Sequence, residues 1–166
     1  MTEALPRVDS GQTSPTIGNE SRGAARARSR AHRKALSATA LRAFFGLAAL
    51  WKLNVPQQMA LLGVTARSTF LLWKKHPDVA LPKDTMERIS YLLGIDNALR
   101  IMLPPSVAAD VWLRQPNQAP PFSGGAALDR MLLGNVADLF EVYRYLDEQR
   151  AGFVAGSRES DVPSQS

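Results

Sequence analysis

The stretch LLGVTARSTFLLWKK, Leu61 to Lys75, decides the fold. Gly63 can adopt the positive φ that ends a short helix, and Thr65 can cap the following helix through its hydroxyl group. In that second helix Phe70 and Trp73 lie three residues apart on one face, which predicts that this face is buried. The pattern predicts the turn and second helix of a helix-turn-helix, and DNA binding is the first functional hypothesis.

The other face of this second helix carries the candidate DNA contacts. Leu71 and Leu72 lie among its polar side chains, which favours phosphate contact over base readout. An apolar patch of this kind could also bury against a second copy of the chain or against another helix. The predicted DNA-contacting residues of the segment are Thr65, Arg67, Ser68, Thr69, Lys74 and Lys75, with Arg67 and the two lysines as the stronger candidates.

Charge is distributed unevenly along the 166 residues. Residues 21–77 hold eleven Arg and Lys and no acid, whereas residues 78–166 hold eight bases and twelve acids. The acid-free segment suits a polyanionic partner. The remainder does not, so the charge pattern indicates two interaction surfaces with different partners.

The N-terminal segment is predicted to be a disordered basic arm over residues 1–36. Its first part, to about Gly23, is rich in Gly, Ser, Thr and Pro and lacks apolar periodicity. Its second part interleaves Arg and Lys with Ala, a composition compatible with helix but without an apolar face to pack. Such arms lie along phosphates or enter a minor groove, although the run could also be merely solubilising. The candidate DNA contacts here are Arg30, Arg33 and Lys34.

The rest of the chain predicts helices and no sheet, because no segment alternates convincingly with a period of two. We expect about eight helices and an all-α fold. One helix runs from Ser37 or Thr39 to Lys52, and another from Lys83 ends at Gly94, after which Asp96 caps a brief third. Later helices are predicted over 107–115, capped by Ser106, over 127–133, and over 135–150, the last with Val136, Leu139, Phe140, Tyr143 and Leu146 inward.

Composition argues against several chemistries. The chain has no cysteine and two histidines, which leaves almost nothing for a metal site or thiol catalysis. Gly124-Gly125 is not a phosphate loop, since no strand precedes it. We therefore expect no enzymatic activity and no cofactor. No run of about eighteen apolar residues and no signal peptide is evident, so a cytoplasmic location is expected.

The C-terminal half carries an ordered set of motifs: WLRQPN at 112–117, FSG at 122–124, LDRM at 128–131 and YLD at 145–147. This set resembles the toxin-binding domain of the Xre/MbcA/ParS-type antitoxins. Leu61–Lys75 and the stretch LPKDTMERISYLLGIDNALRIML, Leu81 to Leu103, look like the helix-turn-helix region of that family. The resemblance covers roughly residues 41–152.

The resemblance implies an antitoxin of a two-gene toxin–antitoxin module. Its partner would be a RES-domain toxin that destroys NAD, whose active site the C-terminal domain covers, while the helix-turn-helix binds operator DNA and represses the operon. It implies a helix-turn-helix domain at 37–103 and a toxin-binding domain at 104–152, followed by a flexible tail at 153–166. We expect a homodimer that forms a hetero-oligomer with the toxin, because helix-turn-helix proteins usually bind paired half-sites.

The same resemblance implies a set of toxin contacts, and each has a simpler structural alternative. The aromatic residues could belong to the core, Asn117 could cap a turn, and Asp147 with Arg150 could form a local ion pair. Two other functions remain open: a stand-alone helix-turn-helix regulator without a toxin, and a small enzyme or protein-only adaptor. The predicted toxin-contacting residues are Trp112, Arg114, Asn117, Asp129, Met131, Tyr143, Asp147 and Arg150.

Overall fold

The computed structural model describes residues 17–104 and 108–159. Within these ranges the fold is all-α, as predicted, and the nearest approach to a sheet is an isolated bridge between Pro116 and Ala126. The helices of the described ranges are α1 (Ile17–Leu50), α2 (Val55–Leu62), α3 (Arg67–Lys75), α4 (Lys83–Met102), α5 (Ala109–Arg114), α6 (Ala127–Met131) and α7 (Val136–Glu159).

Helix α1 begins far earlier than the sequence predicted. It is continuous from Ile17 to Leu50, so the prediction of a disordered arm is wrong for residues 17–36, while residues 1–16 lie outside the described ranges. Alanine and arginine are strong helix formers, and the packed half of α1 provides a nucleus from which the helix extends. The side chains of residues 21–33 are all exposed, so this part of α1 is held by propensity and not by packing.

Helix α4 forms the centre of the molecule and packs against α1, α2, α5 and α7. The hydrophobic core is continuous around it, from Leu41 and Phe44 of α1 through Leu92 of α4 to Leu139 and Leu146 of α7. The two predicted domains therefore share one core.

The prediction that a helix ends at Gly94 is wrong. Gly94 lies within the 20-residue helix α4. A Cβ atom at this position would come 2.7 Å from Cε2 of Tyr143 on α7. Glycine is thus required for the close approach of the two helices. The predicted cap at Asp96 is also wrong: its carboxylate accepts a hydrogen bond from Nε1 of Trp51 at 3.2 Å and pairs with Arg100 at 2.6 Å.

The helix-turn-helix is formed by α2 and α3. Asn54 and Gln57 make a reciprocal capping box at the start of α2, and Gly63 ends that helix with φ 70°, as predicted. Thr65 does not cap α3, in contrast to the prediction. The N-cap is Ala66, in extended conformation and without a side-chain bond, so the Thr65 hydroxyl lies one residue too early to reach the free amides of the first turn.

The C-terminal helices also differ in detail from the predictions. Helix α5 spans Ala109–Arg114, and the predicted cap Ser106 lies outside the described ranges. Helix α7 continues to Glu159, so the predicted flexible tail is wrong for residues 153–159. Phe140 was predicted to face inward but is 41% exposed, because the buried side of α7 is centred on Leu139, Val142 and Leu146.

Candidate functional site

The outer face of α3 presents the predicted DNA contacts to solvent. Phe70 is fully buried and packs edge-on against Phe45 of α1, with ring centroids 5.9 Å apart. This anchor fixes the rotation of α3 and directs its other side outward. The exposed residues of α3 are Arg67, Ser68, Leu71, Leu72, Lys74 and Lys75, whereas Thr69 is half-buried.

Helices α1 and α3 contact each other through a lysine–aromatic pair as well as through the ring contact between Phe45 and Phe70. The ammonium group of Lys74 lies 5.9 Å from the centre of the Phe45 ring, within the range of a cation–π interaction. Lys34 lies near the segment after α3, because its Nζ atom is 3.8 Å from a carboxylate oxygen of Asp78. The basic part of α1 therefore adjoins the C-terminal end of α3.

Arg30 and Arg33 are exposed on α1, and they belong to a longer basic ridge that the sequence prediction missed. Arg22, Arg26, Arg30 and Arg33 are spaced by four, four and three residues, which places them on one side of a helix. The spacing was visible in the sequence. The sequence predicted a disordered basic arm that was merely compatible with helix, so these side chains were not assigned to one face.

Arg114, a predicted toxin contact, instead joins α5 to the end of α1. Its guanidinium donates hydrogen bonds to the carbonyl oxygens of Trp51 at 2.8 Å and Asp110 at 2.8 Å. The buried carboxylate of Asp110 also pairs with Lys52 at 2.7 Å, and the hydrogen bond from Lys52 holds the pKa of Asp110 below its usual value. Arg114 thus has a structural role that accounts for its position.

Two further predicted toxin contacts have internal roles. Met131 is fully buried in the core and has no surface to offer a partner. The side chain of Asn117 accepts a hydrogen bond from the backbone N–H of Ala119 at 2.9 Å, which is the turn-capping role that the sequence left open. Trp112 is half-buried and packs edge-on against Phe122, so it is largely a core residue.

Tyr143, Asp147 and Arg150 lie along one side of α7, at a spacing of four and three residues. Arg150 donates a hydrogen bond to Asp147 at 2.5 Å, the local ion pair that had been the alternative explanation. Two residues absent from the predicted set adjoin this side, Phe140 of α7 and Tyr91 of α4. Phe140 and Tyr143 each lie against the ring of Tyr91 on α4, with centroid distances of 5.7 and 5.6 Å.

We call these five residues, Tyr91, Phe140, Tyr143, Asp147 and Arg150, the α7 face. Tyr91 could not be assigned from the sequence, since it belongs to a different helix. The hydrogen bond from its hydroxyl to Glu87 raises the pKa of Tyr91 above its usual value.

Asp129 lies on the exposed side of α6. It lines a shallow depression together with Pro121, Phe122 and Leu133, and the Leu133 side chain is 64% exposed. Of the predicted toxin contacts, three therefore lie on α7 and Asp129 is exposed on α6, whereas the other four are buried or have partners within the molecule.

The described part of the chain contains no group of three or more His, Cys, Asp or Glu residues arranged to hold a metal ion. None of its helices is long and apolar enough to span a membrane.

Comparisons with known proteins match both halves of the chain. Residues 30–94 match the family model described as the antitoxin Xre-like helix-turn-helix domain, and residues 98–152 match the antitoxin Xre/MbcA/ParS C-terminal toxin-binding domain. A protein of Sinorhizobium fredii, described as uncharacterized protein y4oB, is 48% identical over 112 residues, which cover 68% of this chain and 84% of the relative. No solved structure matches the chain.

Proposed function

The chain belongs to the Xre/MbcA/ParS-type antitoxins, and we propose from this membership that it neutralises a RES-domain, NAD-degrading toxin and represses its own operon. The observation that carries the proposal is the separation of two unlike surfaces on one core. A cationic surface lies on α1 and α3, and an aromatic surface with an adjacent ion pair lies on α4 and α7.

The cationic surface is suited to operator DNA. Arg67, Lys74 and Lys75 are exposed on a helix whose opposite side is anchored by Phe70. A rigid helix with a cationic rim fits the major groove, and each phosphate that a cation neutralises releases counterions. We propose that the basic ridge of α1 adds phosphate contacts beside the groove. Within this ridge, Arg30 and Arg33 are the residues nearest to the packed half of α1.

The α7 face is suited to a protein partner. Phe140 is 41% exposed although it is aromatic, and the rings of Tyr91 and Tyr143 lie beside it. Aromatic residues with an adjacent charged pair are typical of energetically important interface positions. We propose that this face contacts the toxin and that the ion pair of Asp147 and Arg150 lies at its edge. A homodimer that forms a hetero-oligomer with the toxin would present paired DNA-binding helices to an operator.

Toxin neutralisation is tested by co-expression with the neighbouring open reading frame. We expect that its product lowers cellular NAD and stops growth when expressed alone, and that the full chain restores both. Arg150→Ala should weaken rescue. The matched control is Arg100→Ala, because Arg100 also forms an ion pair within one helix, with Asp96 at 2.6 Å, but lies on the opposite side of α4 from Tyr91.

Two results would contradict this part of the proposal. The first is a neighbouring product that neither binds the chain nor lowers NAD, which would leave the stand-alone regulator as the better explanation. The second is an equal loss of rescue in the two arginine variants. DNA binding is tested independently, by gel shift with the promoter fragment at low salt, and an absence of any shift would refute the repressor role.

A further inference from the structure

The outer face of α3 contains two leucines where a DNA-binding helix usually carries polar side chains. Leu71 is 48% exposed and Leu72 is 51% exposed, although Phe70 and Trp73 on the same helix are buried. With 100° between successive residues, Ser68 and Lys75 lie at the centre of the outward side and the two leucines lie on either side of them. The leucines are thus placed to touch whatever α3 binds.

The charges around these leucines favour DNA over a second copy of the chain. Leu71 lies one helical turn from Arg67 and one turn from Lys74 and Lys75, and α3 contains no acid. A twofold interface through this face would place the same patch against itself and bring these cations together. In a duplex the flanking cations would instead meet the phosphates on both sides of the major groove.

Base chemistry then identifies what the leucines would contact. A leucine side chain has no hydrogen-bond donor or acceptor, and it would leave a polar base edge desolvated and unpaired. The C5-methyl group of thymine is the apolar group that the four standard bases present in the major groove. We propose that Leu71 and Leu72 contact thymine methyl groups and so determine the DNA sequence specificity of this protein. This inference rests on the DNA binding proposed above.

The test compares thymidine with deoxyuridine, which differs from thymidine only by the missing C5-methyl group of the base. The probe is a duplex selected by the full chain from a random-sequence pool, in which thymines are replaced by deoxyuridine one at a time. We expect that replacement at a contacted position weakens wild-type binding about fourfold, the ratio typical of one buried methyl group.

Leu71→Ala and Leu72→Ala should remove this discrimination while the fold is kept, because both side chains are exposed. Leu50→Ala is the matched control: Leu50 is 58% exposed but lies at the far end of α1, and its replacement should leave the discrimination intact.

Three results would overturn the proposal. Equal wild-type affinity for the thymine and deoxyuridine duplexes would remove the methyl contact. Discrimination that persists in the double leucine variant would assign it to other residues. The leucine substitutions could also dissociate a dimer, as measured by sedimentation, and leave the methyl preference unchanged. That result would show that a second copy covers this face. Complete failure to bind DNA is a different result, since it would refute the repressor role itself.

Discussion

Gly94→Ala is expected to destabilise the protein, although the same change stabilises most helices. The gain from replacing glycine by alanine within a helix is about 1 kcal/mol. At Gly94 the new methyl group would lie 2.7 Å from Cε2 and 2.8 Å from Cδ2 of Tyr143, well inside van der Waals contact. The ring cannot move freely, because it packs against Tyr91 with 5.6 Å between the ring centroids.

The expected magnitude follows from these opposing terms. Overpacking of this kind costs about 1–3 kcal/mol, and loss of the ring contact between Tyr143 and Tyr91 costs a further amount of about 0.5–1.5 kcal/mol. After the helical gain of about 1 kcal/mol is subtracted, the net destabilisation should be about 0.5–3.5 kcal/mol, which lowers Tm by about 1–14 °C in a protein of this size. The measurement is urea denaturation followed by circular dichroism, with thermal melting alongside.

A double-mutant cycle makes the prediction specific to this contact. In a Tyr143→Ala background the obstruction is gone, so Gly94→Ala should stabilise by about 1 kcal/mol, a reversal of sign. The matched control is Gly46→Ala in α1, where an added Cβ would meet nothing within 4 Å and should stabilise by a similar amount. Stabilisation by Gly94→Ala in the wild-type background would refute the argument that this glycine serves the approach of α7 to α4.

The remaining predictions concern the two surfaces and the core. Arg67→Ala with Lys74→Ala should reduce the salt slope of DNA binding by about 2 per bound protomer, as measured by gel shift across a salt series. Toxin rescue should stay intact in the co-expression assay, and an equal loss of rescue would refute the two-surface description. Met131→Ala should lower unfolding free energy by about 2–5 kcal/mol because Met131 is fully buried, whereas Asp129→Ala should change it by less than about 0.5 kcal/mol, and urea midpoints separate the two. The hydrogen bond from Lys52 lowers the pKa of Asp110 in the folded state. The contribution of this carboxylate to stability is therefore fully present above the pKa of an unperturbed aspartate, about 4, and is lost as the pH falls through the lower pKa of the folded state. The stability difference between wild type and Asp110→Asn should therefore shrink on acidification, and a difference that stays constant with pH would contradict the ion pair.

The parts of this fold that could be predicted from the sequence are those set by local patterns. The positive φ at Gly63 and the burial of Phe70 and Trp73 follow from turn chemistry and from a spacing of three residues, and all three predictions are confirmed. The absence of period-two alternation likewise gave the all-α class. Each of these features depends on neighbours within about one helical turn.

The features that were missed depend on contacts between distant segments. Gly94 looks like a helix end unless it is known that Tyr143 packs against it. Arg114 looks like a free surface cation unless the end of α1 is known to lie within reach of its guanidinium. Met131 looked like an interface residue because it belongs to a motif, but a motif reflects core packing as readily as contact with a partner.

The packing around Arg88 shows why the two surfaces are not independent modules. Its guanidinium, on α4, donates hydrogen bonds to Asp84 at 2.7 Å and to the carbonyl of Gly134, between α6 and α7, at 2.9 Å. The turn before α3 also lies against it, since a Cβ at Gly63 would come 2.7 Å from its Nε atom. One buried cation thus contacts the turn that positions the DNA-binding helix and the turn that leads into the α7 face. Substitutions on exposed side chains can separate DNA binding from toxin neutralisation, whereas core substitutions near α4 should impair both, and only the former assign a function to a surface.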